Sequence, residues 1–158
     1  MKENIPYFED EPLKEGVPTV ERDNVEVVLF DPVKKQVLCL DWEKFGWKTI
    51  IIGGLDGDTP EIAAQKEILE ETGYKNVRYV KEIAKVQAGY YAAHKKENRI
   101  ANTTGLLFEL VDNEREEVDL YELEKHISHW IPFSEVSEYL NLSSQKYLWD
   151  LVKDSLIQ

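Results

Sequence analysis

Apolar residues in this chain occur both in short continuous runs, which suit buried strands, and at spacings of three or four, which suit helices. Residues 1–19 carry Pro6, Pro12, Gly16 and Pro18 among acids and read as an irregular lead-in. Val25–Phe30 predicts a strand, Asp31-Pro32 a turn, and Val37–Leu40 the return of a hairpin. Trp42 and Trp47 bracket a loop, and Thr49–Ile52 is a short strand leading into Gly53-Gly54. Thr59-Pro60-Glu61 has the residue types of a helix start: a capping hydroxyl, a proline at the first position and an acid at the positive end. Gly73 supplies the stop.

Beyond it, Val77–Val80 and Ile83–Val86 read as two strand segments, with Gly89–Ala93 continuing the sheet. His94–Asn102 is polar and reads as a loop, and Thr104–Leu110 as a strand. Tyr121–His126 predicts a helical turn, His129–Ile131 a short strand ended by Pro132, Ser134–Val136 a helical piece and Gln145–Leu156 a closing helix. Residues 20–158 hold no repeat and no interior linker, so one α/β domain with a mixed sheet is expected.

The helix from Thr59 to Gly73 carries the candidate chemistry. On a helical wheel Ile62, Ile68 and Leu69 share a face, while Glu67, Glu70 and Glu71 fall together beside Ala63. Like charges at these spacings cost the helix tenths of a kcal/mol per pair, roughly. A solvated face explains them as readily as a site until the flanking residues are weighed. The preceding Gly53-Gly54 turn lets backbone or a phosphate approach closely. A hard divalent cation such as Mg²⁺ takes oxygen ligands and shares them with substrate phosphates. Together these features point to chemistry at a phosphoanhydride.

Composition narrows the alternatives. The 158 residues and 42% apolar content suffice for one packed core. A net charge of -12 repels nucleic-acid backbones and anionic membranes, so direct nucleic-acid binding is not expected, although a bound cation reverses the sign locally. Cys39 stands alone in an apolar run and reads as a buried strand residue. The opening MKENIPYFEDEPLKEG has no apolar signal segment and no run is long enough for a membrane span, so a soluble, cytoplasmic protein is the expectation.

The stretch from Gly53 to Tyr74, GGLDGDTPEIAAQKEILEETGY, resembles the Nudix box of the MutT-like Nudix hydrolases. That box ends in Arg-Glu-aliphatic-x-Glu-Glu-x-Gly-aliphatic. Glu70 and Glu71 fall on its paired glutamates, Ile68 on its aliphatic position, Glu67 on its first glutamate and Lys66 on its arginine. Asp58 stands at its upstream glutamate, and only Leu55-Asp56 separate Gly54 from Gly57, two residues fewer than the family pattern. The resemblance covers residues 20–158. It implies an α/β/α sandwich and Mg²⁺-dependent (or Mn²⁺-dependent) hydrolysis of a nucleoside diphosphate linked to another moiety. Glu67, Glu70, Glu71 and Gly53 would then be metal ligands, and Glu70, Glu67 and Asp58 catalytic, with Asp56 a substitute for Asp58.

It further implies a nucleotide-like ligand, for which Gly54, Trp47, Tyr91 and Arg99 are the binding candidates, and a base outside the box. The acids Glu114, Glu116, Glu117, Glu122 and Glu124 lie in a suitable stretch, of which Glu117 and Glu124 are taken as the bases. His126 and His129 flank the same stretch. LDWEKFGWKT, YYAAHKKENRIANTTGLLFEL and KHISHWIP also resemble a Nudix-type domain attached to some bacterial leucyl-tRNA synthetases. That resemblance implies a synthetase context for an excised domain or free relative. The shortened loop favours the competing reading, a non-catalytic accessory domain that binds a nucleotide or partner. Edge strands and exposed aromatics leave a homodimer open.

Overall fold

The computed structural model of the protein describes residues 4–157. An eight-stranded sheet runs β1 (Tyr7–Glu9), β6 (Val77–Ala92), β7 (Glu97–Leu110), β2 (Thr19–Asp31), β3 (Gln36–Trp42), β4 (Trp47–Thr49), with β5 (Ile51–Gly54) paired to β2 and β8 (Ile127–Pro132) to β3. β1 runs parallel to β6 and β2 parallel to β7, while the other pairings are antiparallel. The expected mixed sheet is present.

Alternation along β2 sorts the core into two layers. Val25, Val27 and Leu29 pack with Ala63, Ala64 and Ile68 of helix α1 (Pro60–Thr72). Val28 and Phe30 face the other way, toward Leu148, Trp149 and Val152 of helix α4 (Ser143–Ile157). The sheet is therefore sandwiched between α1 and α4, an α/β/α arrangement. Helices α2 (Leu120–Lys125) and α3 (Val136–Tyr139) are short connectors. Among the described residues no helix is long and apolar enough to cross a membrane.

Three expectations are corrected. The lead-in is not wholly irregular: Tyr7–Glu9 pairs with β6, and Asp10 accepts hydrogen bonds from Ser144 N (3.0 Å) and Ser144 Oγ (2.6 Å) at the start of α4. Val77–Val80 and Ile83–Val86 belong to one strand, interrupted by irregularities between Tyr79 and Lys81 and between Glu82 and Ala84. The supposed loop His94–Asn102 is a turn over residues 93–96 followed by β7. Its polar residues mislead because they serve as pairing groups: buried Asn98 exchanges two hydrogen bonds with the Lys14 backbone, at 2.9 and 2.8 Å.

Candidate active site

Helix α1 begins and ends as its sequence predicts. Thr59 Oγ1 accepts from Ile62 N, Pro60 opens the helix, and Gly73 closes it at a φ of 80°, its N–H donating to Leu69 O. Of the apolar face read from the wheel, only Ile68 is buried. Ile62 and Leu69 are 47% and 36% exposed, whereas Ala63, Ala64, Ile68 and Glu71 are buried. The small alanines let the helix lie close to the sheet, and of the three carboxylates this buries Glu71, leaves Glu67 half-buried and Glu70 exposed.

Gly53 makes that placement of Glu67 possible. A Cβ at Gly53 would lie 2.1 Å from both Cγ and Cδ of Glu67, so the Glu67 side chain fills the space that any other residue would occupy. The carboxyls of Glu67 and Glu71 lie close enough to perturb each other. Burial raises Glu67 to about 7, with Glu70, Glu122 and Asp56 adding repulsion and the Glu71 hydrogen bond opposing it. Burial also pushes Glu71 well above the usual carboxylate range, followed by the Glu67 charge and hydrogen bond and by Glu122, with the Ile52 backbone pulling the other way. Glu71 Oε2 has no donor.

Among the described residues no three acidic, histidine or cysteine side chains are gathered closely enough to cage an ion as they stand. The donor set nevertheless suits a hard cation. It is all oxygen, Glu71 has an unpartnered buried oxygen, and a cation there would offset the Glu67–Glu71 repulsion.

Exposed Glu70 lines an open cavity of about 390 Å³ with Glu116, Glu117, Asp119, Tyr121 and Glu122. This acidic segment is fastened to the end of α1. Arg115 donates from Nε and Nη2 to Thr72 O at 3.1 and 2.8 Å, and Glu116 N donates to Gly73 O at 2.7 Å. Glu117 thus shares the cavity with Glu70, whereas Glu124 lines a different one with Asp41, Glu43 and His126. Glu122 is the acid of this stretch whose charge reaches both Glu67 and Glu71. Buried His126 holds it, Nε2 lying 3.3 Å from Glu122 Oε2, and packs against Trp42 with ring centroids 4.6 Å apart. Burial lowers the His126 pKa, opposed by Glu122. His129 is exposed on β8.

The shortened loop is a closed turn, with Asp58 N donating to Leu55 O and positive φ at Asp56 (49°) and Gly57 (85°). Lys66 pairs with Asp58 at 2.7 Å rather than with a glutamate of its own helix. Asp58 thus has a partner of its own. Gly54 pairs with Asn24 across β2.

Trp47 and Tyr91 share a cavity of about 190 Å³ with Phe45 and Tyr90. Trp47 stacks on Phe45 (centroids 5.2 Å apart), meets Tyr90 edge-on (5.5 Å) and donates from Nε1 to Glu11. Arg99 is engaged elsewhere, by Glu97 on its own strand at 3.1 Å. Lys14 lies 5.3 Å over the Tyr91 ring. Of the binding candidates, Trp47 and Tyr91 come together and Arg99 is tied down.

The NUDIX domain model matches residues 20–151. Among solved structures, Ap4A hydrolase from C. elegans is 15% identical, with a TM-score of 0.64 over 87% of this chain and 99% of that one. Dihydroneopterin triphosphate pyrophosphohydrolase from E. coli is 16% identical, with a TM-score of 0.61 over 86% and 99%. A Nudix hydrolase from M. smegmatis is 14% identical, with a TM-score of 0.60 over 86% of each. At these identities the structures establish likeness of fold. No curated protein matches the chain.

Proposed function

This chain belongs to the Nudix family, and on that premise we propose that it is a divalent-metal-dependent pyrophosphohydrolase acting on a nucleoside diphosphate linked to another moiety. The observation that carries the reading is buried Glu71 with half-buried Glu67 beside it, the latter lying in space that Gly53 leaves open. Burying like carboxyls gains nothing for stability, so their placement calls for a ligand. Glu67, Glu70 and Glu71, with the Gly53 carbonyl, would hold Mg²⁺ or Mn²⁺. Such an ion, when bound, polarises the phosphoanhydride and offsets the charge that develops on it.

The chain's own groups do the rest. Glu122, oriented by His126, or Glu117 across the same cavity, accepts the proton of the attacking water at a carboxylate oxygen. Glu124, on the far cavity, is the weaker choice. Asp58 steadies the turn through Lys66 and can take a catalytic part only by leaving that pair. The acid-rich rim excludes anionic competitors until a cation offsets it.

Phosphate and nucleotide release from a panel of diphosphate-linked substrates, at varied Mg²⁺ and Mn²⁺, tests this. Release should require the metal and fall about 100-fold or more in Glu70→Gln and in Glu67→Gln. Release that ignores metal, or survives both substitutions, would sink it. A second reading, a nucleotide-binding accessory domain without turnover, is favoured by the Asp58–Lys66 pair in the short loop. It predicts nucleotide binding with no release under any metal condition. An association with a leucyl-tRNA synthetase is carried by the sequence resemblance alone.

A further inference from the structure

The end of α1 takes its cation from outside the helix. Its last turn carries no basic side chain, although Glu67, Glu70 and Glu71 lie in its second half and a helix C-terminus favours positive charge. Arg115, in the segment that follows β7, supplies it. Nε and Nη2 of Arg115 converge on one oxygen, Thr72 O, at 3.1 and 2.8 Å. The guanidinium lies 4.8 Å over the Tyr74 ring, and Tyr74 and Arg115 face each other as an isolated antiparallel bridge. Next to it, Glu116 N donates to Gly73 O at 2.7 Å. Two carbonyls at the end of α1 are thus met by consecutive residues of one distant segment.

Tyr74 grips the same segment again where it rejoins the sheet. Trp130 of β8 donates from Nε1 to Tyr74 Oη at 2.9 Å, and the two rings meet edge-on with centroids 5.6 Å apart. Tyr74 is itself buried, so it is a fixed post. Residues 116–129 are therefore a span tethered at both ends to the residue that directly follows Gly73. That span carries Glu117 and Glu122, which share a cavity with Glu70. Arg115 does not line the cavity, so it acts on the site only through the span it holds.

We propose that Arg115 is a positioning residue for the acid that activates water: clamped between Thr72 O and the Tyr74 ring, it fixes the 116–129 span against α1 and so sets where Glu117 and Glu122 stand relative to the box glutamates. This rests on the hydrolase reading. Two donors converging on one carbonyl while the plane lies over an aromatic ring is a geometry that a guanidinium supplies and an ammonium does not. Lysine would keep the charge at the end of α1 but make only a point contact. A general base works within hydrogen-bond reach of its water, about 2.6–3.2 Å, so a shift of about 1 Å in the span costs turnover without touching substrate. The charge of Arg115 serves the helix, and its fork serves the site.

Steady-state hydrolysis of the diphosphate-linked panel at saturating Mg²⁺ tests this with Arg115→Ala, Arg115→Lys and the double variant Glu117→Gln/Glu122→Gln. Arg115→Ala should lower kcat about 30-fold or more with KM within about threefold. Its pH–rate profile should lose the plateau set by the base and climb with hydroxide instead. Arg115→Lys should melt close to the parent yet still lose about tenfold in kcat, which keeps the test open if the alanine variant does not fold. In the double-glutamine background no base remains to be placed, so adding Arg115→Ala should change kcat by less than about threefold. Parental kcat in Arg115→Ala or in Arg115→Lys, or a loss from Arg115→Ala that is undiminished in the double-glutamine background, overturns the positioning role and leaves the hydrolase standing. A parent protein with no metal-dependent release overturns the hydrolase and this role with it.

Discussion

At the scale of single residues, the protein concentrates its electrostatic cost in a few carboxyls. Glu26 and Glu67 are raised to about 8 and about 7, and Glu71 is raised well above 4.5. Each binds its proton more tightly folded than unfolded. Their contribution to stability is therefore intact below the ordinary carboxyl range and is lost as pH rises through the folded values. Buried His126 works in the opposite sense, but only up to its ordinary 6.5, above which it is neutral in both states. The melting temperature of the protein in a chelator should thus fall from pH 6.5 to about 8. Glu26→Gln should flatten part of that slope, and Mg²⁺ should flatten more by drawing Glu67 and Glu71 toward the ionised form. A melting temperature that is level across this window would contradict the assignment of raised carboxyls.

At the scale of elements, two glycines flanking α1 do different work. Gly53 yields to the flexible end of a side chain, Glu67, whereas a Cβ on Gly73 would lie 2.3 Å from the Glu116 carbonyl at a φ of 80°. Gly53→Ala should cost only about 1 kcal/mol in urea unfolding, because Glu67 can swing to another rotamer. Turnover should nevertheless drop by about 100-fold, since the displaced carboxyl leaves the site. Gly73→Ala should cost more, about 1–3 kcal/mol, because backbone must move and the residue is held in left-handed geometry. Equal stability losses in the two variants would show that Glu67 is not free to move. The helix itself was legible: cap, proline, acid and terminal glycine all sit where the sequence put them. Of its buried face, only Ile68 was. Hydropathy favours Ile62 and Leu69, but close approach to the sheet is decided by side-chain size at Ala63 and Ala64 and by the missing Cβ of Gly53.

At the scale of the whole molecule, the sheet divides the labour. Buried Glu71, with half-buried Glu67 beside it, stands on the α1 side, and buried Glu26 stands on the α4 side. The N-terminal segment closes the second side, with β1 on β6, Asp10 on the first turn of α4 and Glu11 on Trp47. Asp10→Ala removes both acceptors from Ser144 and should lower stability by about 1–2 kcal/mol in urea unfolding. An unchanged midpoint would mean that water caps α4 equally well. With 31 acidic against 19 basic residues the chain carries a net charge of -12, and on the proposed reading a cation at α1 would make an anionic diphosphate acceptable there.

The sequence alone determined the limits of α1, the β2–β3 hairpin and the closing helix, because caps, glycines and local spacing act over a few residues. Tertiary structure decided which of the box carboxylates is buried, which outlying acid faces them, and that Lys66 serves Asp58. It also decided that Asn98 is a pairing group within the sheet and that Glu26 is buried with the Gln145 amide beside it. These outcomes depend on groups far apart in the chain, joined by strand register and layer packing. Hydropathy marks only that a residue is polar, and whether it meets water, a partner or a ligand is settled by what the fold brings against it.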